Sequence, residues 1–184
     1  MESLVDAGLA AHIGLSNHNQ AQIGALLASC RIRPAVHQIE LHPYNCSRAL
    51  VEYCARESIV LTAYSLLGHG SGAGGVPLLE APAVAEIAAK RGLTPAQVLV
   101  RFQVERGIAA IPKSITPARI ASNLDAASPT HRLERADVDA LLAMDVGWRF
   151  CAGLRDRHLA QYPWKDELPV LLRHAARANF KKPN

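Results

Sequence analysis

The chain has 184 residues, 49% of them hydrophobic, and a formal net charge of +4. That is enough apolar material for one core and one globular domain. The positive balance comes from scattered arginines, which reads as a solvated surface and not a nucleic-acid footprint, and no apolar run reaches membrane-spanning length.

The first residues, "MESLVDAGLAAHIGL", carry Glu2 and Asp6 and no basic stretch, so a secretory signal is not expected. A strand is predicted over 12–15, stopping at Ser16 and Asn17. Asn19 then caps a helix with Ile23, Leu26, Leu27 and Cys30 on one face. A second strand, 35–41, runs into "HPY" at 42–44, a corner in which the pre-proline constraint favours a structural role over acid–base chemistry. Ser47 is predicted to cap a helix with Leu50, Tyr53 and Cys54 inward, and a third strand follows over 59–64. "GHGSGAGG" at 68–75 is a loop without the G-K-[ST] ending of a phosphate-binding P-loop.

Pro82 opens a helix with Val84, Ile87 and Ala88. Thr94-Pro95 opens the next, with Val98, Leu99 and Phe102. A fourth strand covers 108–112, and Thr116-Pro117 repeats the cap signal before Ile120 and Leu124. A helix over 135–145 carries Val138, Leu141 and Leu142. Residues 147–164 look irregular, and 166–178 read as a last amphipathic helix. The "KDEL" at 165–168 is internal and cannot act as a C-terminal retrieval signal. Cys30, Cys46, Cys54 and Cys151 form no C-x-x-C pair. Buried free thiols in a reducing, cytoplasmic compartment are expected, with no metal site.

The strands are nearly continuous in apolar residues and alternate with helices. That predicts an α/β fold with a parallel sheet and right-handed crossovers. Ile13, Val36, Leu61 and Ile111 are expected on one inward face of that sheet. Ligands meet the carboxyl ends of such strands. These ends are Ser16-Asn17, Gln38-Ile39-Glu40, Tyr64-Ser65 and Lys113-Ser114, each polar where a core strand needs no polar group. "KSITPAR" is the strongest local signal. It joins a lysine, two hydroxyls, a helix start and Arg119, a set suited to a phosphate. Tyr64 could stack on a planar ring, or pack as a rim aromatic.

"IGLSNHN", "PAVHQIELHPY", "LTAYSLLG", "EIAAKRGLTPAQVLVRF" and "IPKSITPARI" together resemble the C-terminal half of an aldo-keto reductase, over roughly residues 1–165. The resemblance implies the fifth to eighth βα units of a TIM-type (β/α)8 barrel that binds NADP(H); beyond it, the residues over 166–184 read as a helical extension and basic tail. It implies that Ser16, Asn17 and Gln38 bond the nicotinamide carboxamide, with Tyr64 under the ring and Ser65 and Leu67 along the pyrophosphate. Lys113, Ser114 and Thr116 would hold the 2′-phosphate, Arg119 the adenine and 2′-phosphate side, and Asn123 the adenine.

Three positions depart from the family pattern. Leu66 replaces a proline, His69 a small polar residue and Ser122 an acid. The family's catalytic Asp, Tyr, Lys and His come from units the resemblance does not cover. The reading is therefore an oxidoreductase of aldehydes and ketones represented by its cofactor-binding half and inactive alone. The alternative is a non-catalytic nucleotide-binding or interaction module, or an incomplete gene product. A small carbonyl or alcohol would bind only with the barrel restored, and the open edges at 12–15 and 108–112 would favour self-association. No nucleic-acid or membrane partner is expected.

Overall fold

The computed structural model describes residues 1–70, 72–151 and 162–167. Four strands, β1 (Gly14–Ser16), β2 (Val36–Glu40), β3 (Val60–Tyr64) and β4 (Ala109–Ala110), form one parallel sheet in the order β1-β2-β3-β4. Parallel neighbours need crossovers. Here these are α2 (Gln20–Leu27), α3 (Arg48–Arg56) and the pair α4 (Pro82–Arg91) and α5 (Pro95–Glu105). After β4 come α6 (Pro117–Asp125) and α7 (Arg135–Leu142). A short helix that the sequence pattern did not suggest, α1 (Glu2–Asp6), precedes β1. Its Glu2 carboxylate accepts hydrogen bonds from the Arg31 and Ile32 N–H groups at 2.7 and 2.8 Å.

The strands are shorter than their apolar runs. The run over 108–112 yields two ladder residues, Ala109 and Ala110, and the Ile111 N–H adds a bond to the Ala63 carbonyl at 3.3 Å. The helix expected to reach 145 ends at Leu142. Of the helix expected over 166–178, residues 168–178 lie outside the described residues, and Lys165–Glu167 form a 3-10 turn.

Side chains alternate across a strand, and the register decides which face each takes. Val36 pairs with Val60, Gln38 with Thr62 and Glu40 with Tyr64, so these share one face. Ile39, Leu61 and Ala63 share the other. There they pack with Ile23, Leu50, Cys54 and Val100 under the helices. The expected inward set is half right. Val36 and Ile111 are exposed to 37% and 47%, on the uncovered side. Leu61 belongs to the helix-side core, and Ile13 lines a crevice with Leu26 and Ile32. Leu61 is one residue out of phase with Val60, which is enough to put it on the opposite face. β1 starts at Gly14, where a Cβ would lie 2.6 Å from the Val36 carbonyl oxygen. Only glycine allows that approach of backbone to backbone.

A second apolar cluster joins α4, α5 and α7 through Val84, Ile87, Val98, Phe102 and Leu141. α6 behaves differently. Its apolar residues Ile120 and Leu124 are 51% and 77% exposed. They border an apolar crevice along β4 with Val60, Val104 and Ala127.

Two caps form as the sequence suggests. Asn19 and Gln22 exchange side chain-to-backbone bonds of 2.9 Å, and Thr94 and Gln97 do so at 3.2 and 3.0 Å. Two do not. Ser47 sits in the left-handed region at φ +43° and donates to Asn45 Oδ1. Thr116 offers no side-chain cap, and its own N–H donates to Ser114 Oγ at 3.1 Å. Thr94→Ala is therefore expected to cost about 1 kcal/mol in a urea melt, and Thr116→Ala only a few tenths of that. Equal losses would contradict these assignments.

Candidate functional site

The carboxyl ends of β1, β2 and β3 bring the first group of polar residues together. Ser16 closes β1 opposite Gln38. Asn17 follows at φ +55°, a conformation asparagine tolerates better than most residues, and its N–H donates to the Gln38 carbonyl at 3.1 Å. Tyr64 closes β3, and its hydroxyl donates to Asn17 Oδ1 at 3.0 Å. Burial above all, helped by the Glu40 carboxylate, pushes the Tyr64 phenol up to about 12. It stays neutral, a flat apolar face with its polar tip tied to β1.

Ser65, at φ +50°, starts the turn out of β3, and its Oγ lies 3.6 Å from Cys151 Sγ. The Gly68 N–H closes that turn on the Ser65 carbonyl at 2.9 Å. Beyond it lies a cleft of about 440 Å³. Leu67, Lys113, Ser114, Arg119 and Asn123 line it, together with Ser122 and the Thr94–Ala96 start of α5. Five residues singled out by sequence thus share one cleft. Thr116 is exposed and is not part of its lining. Lys113 and Arg119 are exposed, and among the described residues neither forms an ion pair. Their charges are free to meet an anion.

The three departures also have places. Leu66 is buried in the sheet core, Ser122 lines the cleft, and His69 is exposed beside the Phe150 ring at 4.9 Å.

Glu40 is the residue whose role the sequence did not disclose. It is 1% exposed. One carboxylate oxygen accepts from His42 Nε2 at 2.8 Å and from the Phe150 N–H at 2.6 Å; the other accepts from the Cys151 N–H at 3.0 Å. Burial alone would raise its pKa. His42 and the two backbone donors outweigh burial and hold it below the usual carboxylate value, so it carries a charge. The signal available was an acid inside the apolar run "QIELHPY". Its partners lie 110 and 111 residues away.

The "HPY" corner is structural, as expected. His42 is fully buried and spent on Glu40, His42 and Asn45 form an isolated bridge, and the Tyr44 carbonyl accepts from the Trp148 N–H at 2.9 Å. The same C-terminal segment is tied down by Arg149. It pairs with Glu167 at 2.7 Å and lies 3.6 Å over the Trp164 ring.

All four cysteines are free. Burial pushes the Cys46 and Cys54 thiols up to about 12 and about 11. Cys30 is half-buried and Cys151 exposed, so the expectation of buried thiols fails for Cys151, which stands at the rim of the site. Among the described residues no cluster of His, Cys, Asp or Glu could hold a metal, and no helix is long and apolar enough to cross a membrane.

A sequence profile of the Aldo/keto reductase family matches residues 1–145. The chain is 47% identical over 158 residues to the probable NAD(P)H-dependent D-xylose reductase xyl1 of Emericella nidulans, covering 82% of this chain and 49% of that protein. It is 38% identical over 179 residues to human aldo-keto reductase family 1 member A1, covering 90% and 54%. The structure of the aldose reductase from Schistosoma japonicum superposes with a TM-score of 0.82 at 38% identity, over 91% of this chain and 52% of that one. The chain spans about half the length of the relatives it matches.

Proposed function

The chain belongs to the aldo/keto reductase family, and on that premise we propose that it is the cofactor-binding part of an NADP(H)-dependent oxidoreductase that reduces aldehydes or ketones to alcohols. The observation that carries this reading is the cleft holding Lys113, Ser114, Arg119 and Asn123, two of them unspent cations, beyond a strand-end mouth with a neutral phenol. A 2′-phosphate suits the cations, since charge-assisted bonds are the strong ones. The Tyr64 face suits a nicotinamide ring, and Ser16, Asn17 and Gln38 carry the donors and acceptors a carboxamide needs. Thr116 would join the phosphate end from beside the cleft. Ser65 and Leu67 lie between the two ends. Bound NADPH supplies the hydride; the residues of this chain bind and orient it.

In this proposal residues 1–165 form the C-terminal half of a (β/α)8 barrel, with 166–184 an extension. Half-length matches to relatives support a half-barrel. So does the uncovered apolar face of Val36, Val60 and Ile111, which the missing barrel wall would bury. Free thiols fit a reducing, cytoplasmic setting.

Titration of the chain with NADPH and NADH by nucleotide fluorescence tests the cofactor assignment. Tighter binding of NADPH is expected, and equal affinity or none overturns it. Separately, the purified chain is expected to self-associate across its open strand edges and the face they bound. Sedimentation over a dilution series checks this. A monomer at tens of micromolar that binds no hydrophobic dye contradicts it.

A further inference from the structure

Glu40 and Phe150 lie outside the residues assigned above to the dinucleotide, yet they join the two segments that flank its path. Three donors converge on the Glu40 carboxylate, and two of them are the backbone N–H groups of Phe150 and Cys151. The peptide at 150–151 is thereby fixed to the end of β2. The Phe150 ring then reaches across to the turn out of β3. It lies edge-on to His42 at 4.9 Å on one side and tilted against His69 at 4.9 Å on the other. It also rests on Gly68, where φ is +67° and a Cβ would lie 2.9 Å from Phe150 Cζ. Cys151 meets the same turn at its start, with its Sγ 3.6 Å from Ser65 Oγ. Two consecutive residues of the C-terminal segment therefore grip the two ends of the 65–68 turn. That turn leads from Tyr64, at the mouth, to Leu67, in the cleft.

We propose that Glu40 and Phe150 are positioning residues that lock the 65–68 turn to the C-terminal segment, so that both are held as one unit around a bound dinucleotide. This rests on the reading of Tyr64 and the Lys113 cleft as one extended dinucleotide site. The carboxylate sets the backbone at 150–151, the ring transmits that position to Gly68, and the turn sets the distance between the two halves of the site. Glycine at 68 leaves the ring its seat; any side chain there would push it out.

The Gly68 N–H, bonded to the Ser65 carbonyl at 2.9 Å, reports the state of the turn directly. Hydrogen exchange on the free chain should show Phe150→Ala speeding exchange at Leu67, Gly68 and His69 about tenfold, with the β2 and β3 amides unchanged. Phe150 is only half-buried, so this variant keeps the fold. Glu40→Gln retains shape but offers one acceptor oxygen in place of two. It should produce the same signature together with faster exchange at Phe150 and Cys151. In both variants NADPH should dissociate about tenfold faster at a nearly unchanged association rate. Unchanged exchange at Gly68 in Phe150→Ala overturns the proposal, as does acceleration spread evenly over the sheet. Faster exchange at Gly68 with unaltered NADPH release overturns the link to the ligand. Failure of the unaltered chain to bind NADPH would instead strike the cofactor assignment, while the exchange result would still decide the mechanical coupling.

Discussion

Replacing Lys113 and Arg119 together by alanine is expected to weaken NADPH binding about a hundredfold while changing NADH affinity only slightly. Both cations line the cleft with Ser114 and Asn123, and both are exposed. A charge-assisted hydrogen bond contributes about 1.5–3 kcal/mol. Solvent screening argues for the lower figure at these positions. Two such bonds at about 1.5 kcal/mol each give about 3 kcal/mol, close to two powers of ten in affinity. NADH lacks the phosphate and should lose only the smaller contribution of Arg119 on the adenine side. Parallel titrations of the double variant with the two nucleotides measure the difference, and equal losses for both would show that these side chains do not face a 2′-phosphate. Salt offers an independent check, because raising ionic strength should erode the preference in the unaltered chain and leave the variant flat.

The chain on its own is expected to turn over reactive aldehydes at least about 10²–10⁴-fold more slowly than a full-length relative, the factor a positioned general acid supplies. Two proton-bearing side chains at the strand ends, Tyr64 and His42, are committed elsewhere. Tyr64 spends its hydroxyl on Asn17, and burial holds its pKa up at about 12. His42 is fully enclosed and bonded to Glu40. Neither can serve as a general acid without giving up that bond. NADPH oxidation by the pure chain decides the matter: ordinary enzyme rates would contradict the division of labour proposed here. Co-expression with a complementary barrel half from a relative should restore turnover.

Much of this architecture could be read from local patterns, because the physics that sets it is local. "TPAQ" contains both partners of its capping box, so α5 begins where the residues say it must. The parallel, helix-covered sheet follows from the unbroken apolar strand runs. "KSITPAR" held its own evidence for the cleft, since Lys113, Ser114 and Arg119 come from one strand end and one helix start.

The misreadings share a different cause. Ser47 has the right residue type for a cap, but its φ of +43° turns the side chain toward Asn45. Thr116 likewise has the residue type and the following proline of a cap, but it makes no side-chain cap bond and its N–H turns to Ser114 Oγ. Leu61 and Val60 are adjacent apolar residues on opposite sides of the sheet, and the ladder register alone separates them. Glu40 is the extreme case: its meaning depends on Phe150 and Cys151, which approach only once the chain has folded.

The simple strand order has a further consequence, for how the sheet is built and how it comes apart. Every strand pairs with its neighbour in sequence, so a nascent chain leaving the ribosome can dock each new βα unit onto one already formed, without waiting for a distant segment. The rungs are unevenly shared, though. The ladder between β2 and β3 runs from Val36–Val60 to Glu40–Tyr64, whereas β3 and β4 meet only at Thr62–Ala109 and Ala63–Ala110. Fraying therefore starts at β4 and moves inward, with the central pair the last to open. The phosphate end of the proposed site, carried on the chain just after β4, hangs from the sheet's weakest joint, while Gln38 and Tyr64 at the nicotinamide end sit on its strongest.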